Sequence, residues 1–73
     1  MNPTMPPPGD IANELRQLMG DTGGLDEVMG SFRIKVYHTR AFPWDDIFKA
    51  LLYRGFQVFI TNKKADLFIE ARA

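Results

Sequence analysis

Apolar and polar residues change their spacing three times along the chain, and each change marks an element. After Asp10, a good helix N-cap, Ile11, Leu15, Leu18 and Met19 fall at i, i+4, i+7 and i+8, one stripe of a short helix that Gly20 stops. At about ten residues it is too short to hold without docking. Residues 20–30 contain Gly20, Gly23, Gly24 and Gly30 and read as a flexible connection, with room for one helical turn through Leu25–Met29. From Ser31 the period becomes two: Phe32, Ile34, Val36 and His38 alternate with Arg33, Lys35 and Tyr37, the pattern of a strand with one buried face. A second helix follows. Pro43 sits at its first turn, Asp45 and Asp46 near its N-terminus, and Arg54 near its C-terminus, all favourable to the helix dipole. Trp44, Ile47, Phe48, Leu51 and Leu52 form its apolar stripe, and Gly55 ends it. Phe56–Thr61 and Asp66–Ala71 are two further strands, joined as a hairpin through Asn62, Lys63 and Lys64.

This order predicts an α+β fold: a three-stranded, mainly antiparallel sheet of order 1-3-2, a helix packed on one face, and a short N-terminal helix. A right-handed crossover that sets the first two strands side by side is the alternative topology. Three regions are expected: a proline-rich, extended tail over 1–9, the short helix with its glycine-rich linker over 10–30, and a β-α-β-β core over 31–73. Pro3 and Pro6 in the tail make a formal P-x-x-P pattern, but the stretch reads as a plain extended tail in preference to an SH3-type ligand.

One helix cannot cover both sides of a sheet. If Phe32, Ile34, Val36, Phe56, Val58, Ile60, Leu67 and Ile69 face the helix, alternation turns Arg33, Lys35, Tyr37, Gln57, Phe59, Thr61, Asp66, Phe68 and Glu70 the other way. That outer set contains three aromatic rings among charges. Either the N-terminal helix lies over them, or they meet a partner; a one-residue slip in phase would exchange the two faces. On the second reading Arg33, Lys35, Tyr37, Phe59, Phe68 and Glu70 form a protein-interaction site, aromatic anchors within a charged rim.

Composition narrows the chemistry. Nine basic and nine acidic residues cancel in a chain of 73, so the basic excess expected of a nucleic-acid binder is missing. An open sheet with aromatics beside Arg33 and Lys35 still suits base stacking, which keeps a single-stranded nucleic-acid binder as the alternative; Asp66 and Glu70 beside Phe68 oppose it by repelling phosphate. The absence of cysteine favours a cytoplasmic protein and excludes thiol chemistry. No apolar run reaches the roughly 20 residues of a membrane helix.

No catalytic constellation stands out, and neither a cofactor nor a metal is expected. Asp21-Thr22-Gly23 matches the core of the aspartic-protease signature but follows a helix end, without flanking apolar strands. His38 is the single histidine, and Ser31 on the same strand lies roughly 20 Å away by strand rise. Asp45-Asp46 is explained by the helix dipole, and Lys63-Lys64 reads as a solvated turn, with electrostatic steering as its functional alternative. No phosphate-binding glycine motif is present.

In its length, its Pro6-Pro7-Pro8 tail, its Phe32-Arg33-Ile34-Lys35-Val36 strand and its Phe42-Pro43-Trp44-Asp45-Asp46 helix start, the whole chain resembles the small anti-termination factors of lytic bacteriophages of Xanthomonas. The chain is expected to be a monomer without enzymatic activity, and the resemblance implies a regulator in the cytoplasm of the infected bacterium. It would bind host RNA polymerase, inhibit initiation and promote read-through of terminators. None of its residues is matched to a functional motif of that family, so the candidate site rests on the sheet pattern.

Overall fold

A computed structural model describes residues 8–73, and the expected tail lies outside them as far as residue 7. The elements in order are α1 (Pro8–Met19), a 3-10 turn (Gly20–Thr22), β1 (Gly23–Val28), β2 (Ser31–Val36), α2 (Trp44–Tyr53), β3 (Gln57–Lys63) and β4 (Asp66–Arg72). The fold is α+β, but the expected three-stranded sheet of order 1-3-2 is incorrect. The sheet has four strands, all neighbours antiparallel, in the order β1-β2-β4-β3. The additional strand, β1, lies in the stretch that reads as a flexible glycine-rich connection.

Local chemistry explains the boundaries. Gly20, at φ +57°, takes the chain out of α1, and Thr22 Oγ1 donates to the Met19 carbonyl at 2.6 Å to close the 3-10 turn. Met29 and Gly30 both have positive φ, 48° and 82°, which lets a two-residue turn match the twist of β1 and β2. The segment before α2 is fixed by Phe42, which is buried, and by Trp44, whose Nε1 donates to the Thr39 carbonyl at 2.9 Å. The two rings meet edge-on with centroids 4.8 Å apart. At the other end of α2, Gly55 at φ +84° donates to the Leu52 carbonyl, and the Phe56 amide reaches the Leu51 carbonyl. This is the paired-carbonyl stop that a left-handed glycine permits.

Both helices occupy one side of the sheet. Ile11, Ala12, Leu15 and Met19 of α1 share one buried cluster with Ile47, Ala50 and Leu51 of α2 and with Phe32, Ile34, Val36, Ile69 and Ala71 of β2 and β4. Leu15, Ile34, Ile47, Leu51 and Ile69 are fully buried. α1 packs on β1 and beside α2, while α2 reaches toward β3. Two ion pairs link α1 to its neighbours: Arg54, the residue after α2, to Glu14 at 2.9 Å, and Arg16 to Glu27 of β1 at 3.6 Å. The result is a two-layer molecule, and α1 does not lie over the outer aromatics.

Candidate functional site

With both helices on one side, the other face of the sheet has no covering layer among the described residues. The strand registers set its side chains in rows. One row runs Asp26 (β1), Arg33 (β2), Glu70 (β4), Phe59 (β3); the next runs Gly24, Lys35, Phe68, Thr61. Five of the six residues expected at the site, Arg33, Lys35, Phe59, Phe68 and Glu70, therefore occupy two adjacent rows. Tyr37, the sixth, lies one residue beyond β2. Its amide donates to the Thr22 carbonyl at 2.8 Å, and its hydroxyl lies against Gly24, so the ring crosses the edge of the same face. Gly24 makes this possible, since a side chain there would displace the ring.

The face is a lattice of charge pairs around rings. Arg33 pairs with Glu70 at 3.5 Å and Lys35 with Asp66 at 3.6 Å. Arg72 donates to Glu70 at 3.1 Å while its guanidinium lies 4.8 Å from the centre of the Phe59 ring. Phe59 is 42% exposed and Tyr37 55%, whereas Phe68 is half-buried among its neighbours. Exposed pairs of this kind contribute about 0–1 kcal/mol each to stability. Their larger effect is on what the face attracts: each of Arg33 and Lys35 already faces a carboxylate.

Sequence reasoning missed two members of this surface. Asp26 extends the first row and belongs to the strand that was not foreseen. Arg72 joins because β4 runs one residue past Ala71. The signal for Arg72 was present in the alternation of β4, and that for β1 was the two-residue spacing between Val28 and Ser31.

The remaining polar motifs stay apart. Asp21 and Thr22 lie in the 3-10 turn. His38 is exposed just after β2. Asp45 at the start of α2 accepts from Lys49 at 3.0 Å, one turn on. Lys63 ends β3, and the turn is Lys64-Ala65. Among the described residues no three His, Cys, Asp or Glu side chains are grouped to hold a metal ion, and no helix is long and apolar enough to cross a membrane. No protein-family model, curated protein or solved structure matches the chain.

Proposed function

We infer that the chain is a binding protein whose outer sheet face grips bacterial RNA polymerase, inhibiting initiation and promoting read-through of terminators. The observation that carries the docking part of this reading is the placement of both helices on one side of the sheet. It leaves Phe59, Tyr37 and the Arg33–Glu70 row presented outward from rigid strands. The choice of polymerase rests on the resemblance of the chain to phage anti-termination factors. A docking protein can act this way without chemistry of its own, because binding one conformational state of the polymerase more tightly than another shifts the population.

Charge pairing favours a protein partner over single-stranded nucleic acid. Phosphates would have to displace Glu70 from Arg33 and Asp66 from Lys35, whereas a protein surface can meet both signs at once. The test is titration of purified bacterial RNA polymerase with the chain and with a Phe59→Ser, Arg33→Glu variant, read by equilibrium binding and by transcription across a promoter and a terminator. Binding by the native chain, lost in a variant that still melts cooperatively, is the expected result. No binding at micromolar concentration, or binding indifferent to the variant, overturns the reading; a salt-sensitive shift of single-stranded RNA by the native chain would favour the nucleic-acid alternative.

A further inference from the structure

The sheet has two edges, and among the described residues only one of them is guarded. β1 carries Asp26 and Glu27 and two glycines, and α1 reaches it through the Arg16–Glu27 pair. β3 is the opposite edge. It runs Gln57-Val58-Phe59-Ile60-Thr61-Asn62-Lys63, with no charge before its last residue, no proline and a register to β4 unbroken by a bulge. Natural edge strands avoid this combination, because unpaired amides and carbonyls on a flat apolar strand are a template for another strand. Among the described residues no strand lies beyond β3.

The ladder identifies which groups are free. A two-residue hairpin turn places its flanking pair, Lys63 and Asp66, in the hydrogen-bonded position; alternation then turns the backbone N–H and C=O of Val58, Ile60 and Asn62 away from β4. On both faces of β3 side chains remain exposed. Ile60 lies on the helix side of the sheet yet is 55% exposed, and Phe59 is partly exposed on the outer side.

We propose that β3 pairs antiparallel with β3 of a second copy of this chain, about a two-fold axis at Phe59. In that register Phe59 meets Phe59 of the other copy on the outer side, and Val58 meets Ile60 in both directions on the helix side. Val58-Phe59-Ile60 is thus complementary to itself. Gln57 falls opposite Thr61, so no like charges meet, and a formal net charge of zero leaves no general repulsion between copies. The pairing joins two four-stranded sheets into one of eight strands with a common outer face, each Phe59 row continuing into its counterpart. A contact made by a single strand from each copy is small, so the dimer is weak and concentration-dependent, a departure from the monomer expected from the sequence.

Sedimentation equilibrium of the full chain tests this, together with single cysteines, which report cleanly because the native chain has none. The native chain should associate reversibly. Ile60→Lys, on the opposite side of the sheet from Arg33 and Phe68 and already exposed, should raise the dimer dissociation constant by at least about tenfold while the circular dichroism spectrum and melting stay native. Under mild oxidation Phe59→Cys should form a disulfide-linked dimer, since facing residues at a non-hydrogen-bonded pair approach to about 4.5 Å between Cα atoms, and Thr61→Cys should not. A native chain that stays monomeric to millimolar concentration overturns the proposal. So does association unchanged by Ile60→Lys, or cross-linking at Thr61→Cys in place of Phe59→Cys.

Discussion

Leu15→Ala tests whether α1 is a working part of the core. The side chain is fully buried in the cluster that α1 shares with α2 and the sheet, and replacing it by Ala removes three carbons. The transfer term alone is about 2.4 kcal/mol at ~0.8 per methylene. A cavity under a helix that can shift only slightly adds to it, bringing the loss to about 3 kcal/mol, within the range measured for buried leucines. A domain of 73 residues has roughly 4–11 kcal/mol in total, so the loss is a large fraction of it. Urea unfolding followed by circular dichroism should show a lower midpoint at unchanged slope, because α1 unfolds with the sheet in one cooperative step. The melting temperature should fall by about 12–24 °C. Leu18→Ala is the control: Leu18 is 36% exposed at the margin of the same helix and should cost less than about 1 kcal/mol. If the two variants lose the same small amount, or the slope drops with Leu15→Ala, the helix is not docked as described.

Three further outcomes follow from particular positions. Lys64 and Ala65 hold φ +51° and +70° in the β3–β4 turn, a conformation that suits Asn-Gly, so the double change Lys64→Asn, Ala65→Gly should raise stability by about 1–2 kcal/mol in denaturant titration. A methyl group at Gly23 would sit 2.9 Å from Phe42 Cε1, 3.0 Å from Met19 Sδ and 3.1 Å from the Lys35 carbonyl oxygen; Gly23→Ala should therefore destabilise by about 1–3 kcal/mol, measured by thermal melting. The Lys49 ammonium is held above its ordinary pKa by its hydrogen bond to Asp45 and then by the charge of that carboxylate. With the folded value raised, the pair is intact below the unfolded pKa and is lost as pH rises through the folded one. NMR titration of Nζ should show the shift, and Asp45→Asn should remove most of it.

The parts legible in the sequence are those whose apolar period is long enough to identify. The stripe Trp44, Ile47, Phe48, Leu51 gives α2, with Gly55 as its stop. The alternation through Phe32, Ile34 and Val36 gives β2 and the phase of its two faces. β1 was not legible because it has one core residue, Leu25, between two glycines and a pair of acids; what makes it a strand is the ladder to β2 and the cover of α1, both tertiary. Its turn was hidden as well, since Met29 rather than Asn or Gly occupies the first positive-φ position. The missing strand also explains the uncertainty over α1. A sheet of three strands is about 10 Å across between its outer axes, the width of one helix, and a second helix would have to go elsewhere. A fourth strand widens the platform enough to seat α1 beside α2, and so the outer face is left without a layer among the described residues.

A docking face of the kind proposed, uncovered among the described residues, would have to resist self-association when free and still bind when a partner arrives, and the charge lattice bears on both. Arg33, Glu70 and Arg72 are interleaved with Phe59, and Lys35 and Asp66 with Phe68, so charge breaks up the apolar surface of these two rings. The same pairs constrain the complex. Burying Phe59 brings Glu70 and Arg72 toward lower dielectric, where their pairing is retained only if their remaining donors and acceptors are met from the other side. A partner that supplies apolar contact alone would leave them unsatisfied, at about 1–3 kcal/mol for each group. If this face docks a partner as proposed, recognition would depend on matched polar groups around the ring: the ring would supply contact area, and the lattice discrimination between partners.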